Sequence, residues 1–534
     1  MKNITLITIV FFALIFPYLT FGQGYKNPVI PGFYPDPSIC KVSDDYYLVS
    51  STFEYFPGVP VFHSKDLINW NQIGHCLTRK SQLPFEKVTP SQGIYAPTLR
   101  YHNGVFYMVT TLMISRNENA NFYVTATNPA GPWSDPIYVD QSGIDPSLFW
   151  DDDGKVYFQS NRATSFDDAR AIYQSEIDIK TGEILSEIKM LWTGSGAQYI
   201  EAPHVYKKDG YYYLMTAEGG TFYNHQVTIA RSKNIWGPYE GCPHNPILTA
   251  RNSYDVIQGT GHGDLIEAHD GSWWMVFLCI RPTVGNCPVL GRETSLVPVE
   301  WKNGWPVVNE TGVATAQMDV PTLPLKPFPE KSTLTEFDEK ELGLEWNYIR
   351  NPVASNYSLD NKQGSLALKG EKWTLSDALG EITFVGRRIQ HWSFSAETEL
   401  VFAPKADNET AGICIMSRNN YHYDLFLQKR NNQQYLVLEY RIGSITHREA
   451  EIPVEGGSIK LKIGGKKTFY EFSYAENGSS NYHTIASVDS RFMSADVSGG
   501  YTGPYVGLFA SGNGEKSTAW AYYDWFKYQE KGEL

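Results

Sequence analysis

The sequence is poor in features that would indicate a metal site or a polyanionic partner. Six of its 534 residues are cysteines and none stands in a CxxC pair, so nothing supports a zinc site, and the cysteines read as buried thiols or as disulfides. The 45 lysines and arginines are outnumbered by 58 aspartates and glutamates, which gives a net charge of −13 without a basic cluster. This balance argues against a nucleic-acid or anionic membrane-surface partner.

Long apolar runs are also missing, except at the start of the chain. Lys2 is followed by an apolar run from Ile4 to Tyr18, and residues 1–22 predict a cleavable export signal. The run is short of a membrane span, and no cysteine near its end could carry a lipid. We therefore expect a secreted or periplasmic protein with no membrane anchor.

Helical periodicity is absent after the signal, and a repeated β-hairpin pattern stands in its place. Each copy is an alternating strand, a tight Asp, Asn or Gly turn, and a second alternating strand rich in Tyr, Trp, Val and Leu. The copies begin roughly fifty to sixty residues apart, which is the length of one propeller blade. The five copies read DPSICKVSDDYYLVSS, APTLRYHNGVFYMVTT, DPSLFWDDDGKVYFQS, APHVYKKDGYYYLMTA and GDLIEAHDGSWWMVFL. They predict a five-bladed β-propeller over residues 23–320, and we expect SKDLINW, TNPAGPW and SKNIWGPY to form outer strands.

Propeller blades place their innermost strands around a central channel, so the starts of the five repeats should meet at one mouth. The residues at or just before those starts are Asp36, Tyr95, Asp145, Glu201 and His262. Three carboxylates, one aromatic ring and one histidine would therefore surround one small pocket.

The pattern changes after residue 320. Residues 321–332, PTLPLKPFPEKS, predict a proline-rich linker. Segments such as WSFSAETELVF, AGICIMSRNNYHYDLFLQ, QQYLVLEYRIG and SIKLKIGG predict an antiparallel β-sandwich over residues 333–534. The expected fold class is all-β: a five-bladed β-propeller followed by an antiparallel β-sandwich.

Three carboxylates in one pocket suit the hydrolysis of a glycosidic bond. That reaction needs one carboxyl group held protonated for the leaving oxygen and another held ionised to activate water or to attack carbon. Mutual repulsion and partial burial would raise one pKa enough to keep a proton at neutral pH. Aromatic residues, 14% of the chain, suit stacking on sugar rings.

Several ordered motifs resemble glycoside hydrolase family 43. In the first domain they are NPVIPGFYPDPSI, GIYAPTLRY, GIDPSLFW, YIEAPHVY, AEGGTFYNHQVTIARS, GTGHGDLIE and LGRETSLVPVEW. In the second domain, FDEKELGLEWNYIRNP and GLFASGNG before YYDWF resemble the concanavalin-like sandwich attached to β-xylosidases and α-L-arabinofuranosidases of that family. The resemblance covers nearly all of the mature chain.

The resemblance implies an inverting hydrolase with three catalytic carboxyls. Asp36 would be the general base on water, Glu201 the general acid on the leaving group, and Asp145 the group that raises the pKa of the acid and orients it. Arg292 would bind sugar hydroxyls. His262 would lie at the centre of the channel near a water or metal ion, although a hydrogen-bonded structural histidine accounts for it equally well.

Two further assignments concern the walls of the pocket and an ion. Phe53 and Tyr95 would form the wall of the nonreducing-end subsite, with Tyr95 where many xylosidases of the family have tryptophan. A loop of the sandwich in GGYTGPYVG would close one side, with Tyr501 or Tyr505 as the lid residue. No cofactor is required, but Asp338 and Asp524 resemble the structural calcium site of related modules.

The expected function is exo-acting release of terminal β-D-xylose, and also of α-L-arabinofuranose, from oligosaccharides derived from polysaccharides. Three alternatives stay open: an α-L-arabinofuranosidase, a catalytically inactive glycan-binding propeller, and an endo-acting arabinanase. The three retained carboxylates favour an enzyme, and the attached sandwich favours exo attack. The sequence leaves open the preferred pentose, the natural polymer and the oligomeric state.

Overall fold

The computed structural model describes residues 24–115, 118–164, 170–318, 323–476 and 478–532. The predicted export signal, residues 1–22, lies outside these ranges, as do residues 321–322 of the predicted linker. Within the described residues, no helix is long and apolar enough to cross a membrane. The expected all-β class is confirmed, because helix is confined in these ranges to single turns at Phe85–Lys87, Ala354–Asn356, Ser490–Met493 and Ala495–Ser498.

The first part of the chain forms five antiparallel sheets, which we number as blades 1 to 5 in chain order. Each blade contains four strands in chain order. In blade 1 the strand Tyr55–Phe56, which pairs elsewhere, lies between the second and third, and blade 4 has a fifth short strand, Leu248–Thr249, on its third. The strands are Ser38–Val42, Asp45–Val49, Gly58–Ser64 and Asn71–Leu77 in blade 1; Gly93–His102, Val105–Ser115, Glu118–Ala126 and Ile137–Val139 in blade 2; Ser147–Trp150, Val156–Ser160, Ile172–Ile177 and Lys189–Trp192 in blade 3; Glu201–Lys208, Tyr211–Glu218, Gln226–Ser232 and Glu240–Gly241 in blade 4; and Gln258–Glu267, Trp273–Ile280, Arg292–Lys302 and Trp305–Val308 in blade 5. Strands Tyr25–Lys26 and Gln317–Met318 pair with each other and join the two ends of the propeller.

The five predicted hairpins are the first two strands of the five blades. Two of the predicted Asn-Gly and Asp-Gly turns have positive φ at both residues. Asn103 and Gly104 have φ of +48° and +85°, and Asp209 and Gly210 have φ of +51° and +74°. Two consecutive residues with positive φ form the tight turn whose twist matches a hairpin, and Asn-Gly and Asp-Gly adopt it at low cost.

The expectation that SKDLINW, TNPAGPW and SKNIWGPY form outer strands is wrong. These segments are the connections between the third and fourth strands of blades 1, 2 and 4. Their polar residues bind nearby backbone instead of a neighbouring strand: Asp66 accepts from the Ile68 and Asn69 amides at 3.0 and 2.7 Å. Side chains of this kind stabilise turns in competition with a ladder.

A buried polar cluster fastens the blades to one another near the propeller axis. The carboxylate of Asp264, in blade 5, is fully buried and accepts hydrogen bonds from Ser38 of blade 1 at 2.6 Å and Tyr206 of blade 4 at 2.6 Å. Arg100 of blade 2 donates to it at 2.8 Å. Four of the five blades therefore share one buried, fully hydrogen-bonded carboxylate, which fixes their positions around the axis.

The second part of the chain forms a sandwich of two eight-stranded sheets. One sheet contains Leu334–Thr335, Tyr357–Ser358, Leu366–Lys369, Phe394–Phe402, Ser458–Gly465, Phe469–Glu476, His483–Asp489 and Trp520–Glu530. The other contains Asn347–Ile349, Thr383–Arg388, Thr410–Arg418, Tyr421–Arg430, Gln433–Ile442, Ile445–Val454, Tyr505–Ser511 and, at one edge, Tyr55–Phe56 from the propeller. One sheet of the sandwich thus continues into the other domain.

The two domains share part of their core. Tyr55 of the propeller stacks on Tyr505 of the sandwich with ring centroids 3.9 Å apart. The guanidinium of Arg388, which is only 2% exposed, donates to the Phe33 carbonyl and to Asn347 Oδ1, both at 2.7 Å, and lies 4.5 Å from the centre of the Tyr34 ring. A cation buried between aromatic rings and carbonyl groups binds the domains to each other in one orientation.

We predict that Arg388→Met lowers the free energy of unfolding by about 2 kcal/mol, because the Phe33 carbonyl and the Asn347 side chain lose a charged donor at a buried site. Differential scanning calorimetry at several concentrations of urea measures the change, and the propeller and sandwich transitions should separate. Arg448→Met, at an exposed arginine, is the matched control and should stay within about 0.5 kcal/mol of wild type. An unchanged single transition in Arg388→Met would contradict the assignment.

Candidate active site

A cavity of about 260 Å³ lies where the first strands of the blades meet, and the sandwich covers one side of it. All seven predicted site residues line it, and the structure therefore brings together residues from 36 to 292 of the chain. Its lining consists of Asp36, Phe53, Tyr95, Ala96, Ile144, Asp145, Tyr199, Glu201, Gly220, Thr221, Phe222, His225, His262, Arg292 and Tyr501.

Left-handed backbone marks the corresponding place in every blade. A residue near the start of the first strand has positive φ in each: Asp36 at 56°, Ala96 at 34°, Asp145 at 57°, Ala202 at 51° and His262 at 47°. Non-glycine residues rarely adopt this conformation, and it occurs preferentially at functional sites. In blades 1, 3 and 5 the residue with positive φ, which is Asp36, Asp145 or His262, itself lines the pocket. In blades 2 and 4 the residue before the one with positive φ, Tyr95 or Glu201, lines the pocket, as the comparison of the five repeats predicted.

Asp36 is held as an ionised carboxylate. It is 5% exposed; Ser51 Oγ donates to its Oδ2 at 2.6 Å and Arg292 Nη1 to its Oδ1 at 2.8 Å. Burial alone would raise its pKa, but Arg292, His262 and the Ser51 hydrogen bond outweigh burial, so the pKa of Asp36 lies below its ordinary value. A carboxylate in this state can accept a proton from water.

Asp145 and Glu201 have the opposite electrostatic environment. Burial and the charges of Glu201 and Asp36 raise the pKa of Asp145 well above its usual range, although the Ala202 amide donates to its Oδ2 at 3.2 Å. Burial and the charge of Asp36 raise the pKa of Glu201 to about 7. Two neighbouring carboxyls with raised pKa values retain a proton near neutral pH, and they titrate as a pair.

Two histidines lie beside these carboxyls. His262 Nδ1 is 3.8 Å from Asp36 Oδ1 and 4.0 Å from Asp145 Oδ2, between the two acids but beyond hydrogen-bond length. His225 is fully buried against Gly261, where a Cβ in place of the glycine hydrogen would fall 2.3 Å from the imidazole ring. Burial lowers the pKa of His225 to about 3, so its ring is neutral. Gly261 is therefore needed for close packing of imidazole against backbone.

Arg292 connects the carboxyls to the sandwich. Besides Asp36, its guanidinium donates to Thr221 Oγ1 at 3.0 Å and to the Tyr501 carbonyl at 3.2 Å. The Tyr501 ring stacks on Phe53 with centroids 6.2 Å apart and lies edge-on to Tyr95 at 6.0 Å. Of the two lid residues considered from the sequence, Tyr501 lines the cavity, whereas Tyr505 is fully buried against Tyr55.

Sequence reasoning missed several residues of the lining because they come from loops outside the repeats. Thr221, Phe222 and His225 lie in the loop after the second strand of blade 4, and Tyr199 precedes its first strand. The motif AEGGTFYNHQ contained a signal, since two adjacent glycines at the end of a strand allow close approach of other groups.

The cysteines and the candidate calcium ligands lie elsewhere. All six cysteines are buried and unpaired. Asp338 and Asp524 line one cavity of about 450 Å³ on the sandwich. Among the described residues no group of three His, Cys, Asp or Glu side chains is arranged to hold a metal ion, and a structural calcium stays a prediction.

Comparisons with known proteins agree over nearly all of the chain. The model of "Glycosyl hydrolases family 43" matches residues 25–306, and that of "Beta xylosidase C-terminal Concanavalin A-like domain" matches residues 335–529. The chain is 41% identical to a non-reducing end alpha-L-arabinofuranosidase of Bacteroides ovatus over 99% of both chains, and 39% identical to a xylosidase/arabinosidase of Butyrivibrio fibrisolvens over 95% of this chain and 99% of that one. The crystal structure of a xylan beta-1,4-xylosidase from Bacillus halodurans superimposes with a TM-score of 0.90 at 36% identity, covering 95% of this chain and 100% of that one.

We predict that Asp145→Asn stabilises the protein at alkaline pH. A carboxyl whose pKa is raised on folding binds its proton more tightly in the folded state. It therefore lowers stability progressively as the pH rises through the unfolded pKa of about 4, and the cost reaches its full size above the folded pKa. Asparagine keeps an acceptor for the Ala202 amide, so the free energy of unfolding should rise by roughly 1–3 kcal/mol at pH 8 and change little near pH 4. Urea unfolding at both pH values measures this.

The matched control is Asp44→Asn, at an exposed turn, which should change the free energy of unfolding by less than about 0.5 kcal/mol at either pH. A loss of stability in Asp145→Asn at pH 8 would contradict the raised pKa.

Proposed function

Because the chain belongs to glycosyl hydrolase family 43, we propose that it releases single terminal pentoses, β-D-xylose and α-L-arabinofuranose, from the nonreducing ends of plant-type or algal glycans by inverting hydrolysis. The observation that carries the proposal is the set of three carboxyls from three blades, one with a lowered and two with raised pKa values, in one small pocket. The chemistry requires this division between ionised and protonated carboxyls.

In the proposed reaction, Asp36 takes a proton from a water molecule that attacks the anomeric carbon. Glu201 gives its proton to the glycosidic oxygen, so that the leaving sugar departs as a neutral alcohol. Burial and the charge of Asp36 raise the pKa of Glu201 to about 7, which keeps the acid protonated until the bond breaks, while Asp145 titrates together with it. After the products leave, Asp36 loses its proton to solvent and the Glu201 carboxylate takes up a proton from solvent, which restores the enzyme.

The shape of the cavity supports exo attack. Phe53, Tyr95 and Tyr501 form an aromatic wall on one side, and Arg292 holds the Tyr501 carbonyl, so a chain cannot extend past the sugar there. An endo-acting enzyme needs a groove open at both ends. A glycan-binding protein without catalysis has no use for buried carboxyls that repel one another.

The arabinofuranosidase alternative has specific support. The relative that is 41% identical over the full length is named an alpha-L-arabinofuranosidase, whereas others at 39% and 37% identity are named a xylosidase/arabinosidase and a xylan 1,3-beta-xylosidase. The export signal expected in residues 1–22 supports the further proposal that the protein acts outside the cytoplasm, where extended glycans are found.

The preferred pentose and the stereochemistry are tested together by proton NMR. We expect hydrolysis of both nitrophenyl β-D-xylopyranoside and nitrophenyl α-L-arabinofuranoside, with the inverted anomer as the first product and the ratio of kcat/KM values giving the preference. First appearance of the retained anomer would contradict Asp36 as a base, and hydrolysis of neither substrate would contradict the proposed function.

The roles of the two acids are tested by leaving group. Glu201→Gln removes the proton donor at nearly unchanged size, so kcat on xylobiose should fall by roughly 10²–10⁴-fold, while a dinitrophenyl xyloside, whose leaving group needs no proton, should retain most of its rate. Asp36→Asn removes the base and should slow both substrates together. The reverse pattern in the two variants would exchange the roles.

A further inference from the structure

Two aromatic side chains lie exposed at the mouth of the catalytic pocket and have no part in the reaction derived above. Tyr199 is 44% exposed and Phe222 is 53% exposed, and both line the cavity. A Cβ built on Gly220 would lie 3.3 Å from Tyr199 Cδ2 and 3.9 Å from Phe222 Cδ2, so Gly220 lies between the two rings. We call Tyr199, Gly220 and Phe222 the aromatic rim. Exposed apolar surface grouped at a pocket mouth indicates a binding surface.

Tyr199 joins the catalytic cavity to a second one. The second cavity, of about 380 Å³, is lined by Arg170, Thr193, Ala197, Gln198, Tyr199 and Ile200. The guanidinium carbon of Arg170 lies 4.2 Å from the centre of the Tyr199 ring. The arginine thus supports the ring from the side of the second cavity, and cation–π contact of this kind fixes the ring in place.

The position of Tyr199 in the chain places it on the side of the leaving group. It stands two residues before Glu201, which is the proposed proton donor, and the donor must contact the oxygen that joins the terminal pentose to the rest of the glycan. The wall of the terminal sugar, made by Phe53, Tyr95 and Tyr501, is built from different segments. Tyr199 and Phe222 line the same cavity as Glu201, so they are candidates to contact a sugar bonded to the oxygen that Glu201 protonates.

The segment that carries Tyr199 is held in place by a buried carboxylate. Glu218 is fully buried, and it accepts from the Ser195 amide at 2.8 Å, the Ala197 amide at 2.9 Å and Thr228 Oγ1 at 2.6 Å. The Gly219 amide also donates to the Gln198 carbonyl at 2.6 Å. Charge-assisted bonds to two amides of one loop hold that loop in one conformation. A preformed platform loses little entropy when it binds a ligand.

We propose that Tyr199 and Phe222 form the binding platform for the leaving-group sugar, and that Glu218 is the positioning residue that fixes Tyr199. The ligand is a pyranose or furanose ring with an apolar face, the unit next to the terminal pentose. The proposal rests on the proposed function and extends it to the choice of glycan.

The experiment compares two substrates that share a terminal sugar and differ in their leaving group. One is the disaccharide of the preferred pentose, and the other is its methyl glycoside, which places no ring on the platform. Tyr199→Ala should lower kcat/KM on the disaccharide by about tenfold or more, mainly through KM, and leave the methyl glycoside within about twofold. Tyr199→Phe keeps the ring and should behave as wild type. Phe222→Ala should act in the same direction.

Tyr138→Ala is the matched control. Tyr138 is 52% exposed on the outermost strand of blade 2, and its loss should affect neither substrate. An equal fall on both substrates in Tyr199→Ala would show that the ring only positions Glu201, and no fall on either would show that the rim binds no sugar; either result overturns the proposal. A wild type that hydrolyses neither substrate would instead contradict the proposed function.

Glu218→Gln tests the positioning role separately. The amide places a donor where a carboxylate oxygen received backbone N–H groups, so the loop should lose its fixed conformation. We expect the same selective loss on the disaccharide, with an unchanged pH profile on the methyl glycoside because the proton donor itself is intact. If Glu218→Gln discriminates between the two substrates as the wild type does, Glu218 is not a positioning residue.

Discussion

The ion pair between Arg292 and Asp36 is the contact on which the geometry of the site depends. It joins blade 5 to blade 1 at 2.8 Å, and the same guanidinium reaches Thr221 in the loop of blade 4 and the carbonyl of Tyr501 in the sandwich. One planar cation with several donors can satisfy such partners only in a single arrangement. The charge that lowers the pKa of Asp36 is therefore also the group that positions the wall of the pocket.

The backbone conformation and the charges of the pocket lower the stability of the protein, and the surrounding fold compensates for that cost. Asp36, Asp145 and His262 adopt left-handed backbone, and the carboxyls of Asp145 and Glu201 repel each other at a buried place. The cluster around Asp264, where four blades meet, and the shared core around Arg388 lie outside the pocket and are held by hydrogen bonds to the Asp264 carboxylate and from Arg388 to the Phe33 carbonyl. Strain and repulsion at a functional site persist only when neighbouring structure fixes them in this way.

The repeat in the sequence predicted most of the fold and the centre of the site. Because blade starts converge by symmetry, comparing five hairpins was enough to identify Asp36, Tyr95, Asp145, Glu201 and His262 as neighbours, although they are far apart in the chain. The segments SKDLINW, TNPAGPW and SKNIWGPY were misassigned as strands, since apolar residues in a capped turn imitate a short strand. Tyr199, Phe222 and His225 were missed because loops between strands follow no period that relates them to the axis, and the paired glycines of AEGGTFYNHQ gave the one signal for the loop that holds Phe222 and His225.

The contribution of Tyr501 has a consequence for how this kind of enzyme changes during evolution. The residue that closes the pocket belongs to the sandwich and stands more than two hundred positions after Arg292, the last of the pocket residues in the propeller. The carboxyls and one part of the boundary of the substrate site are therefore encoded in separate domains. Recombination that exchanges the sandwich can alter where a glycan is cut without changing the catalytic carboxyls. An incoming domain must, however, offer a strand that pairs with Tyr55–Phe56 of the propeller.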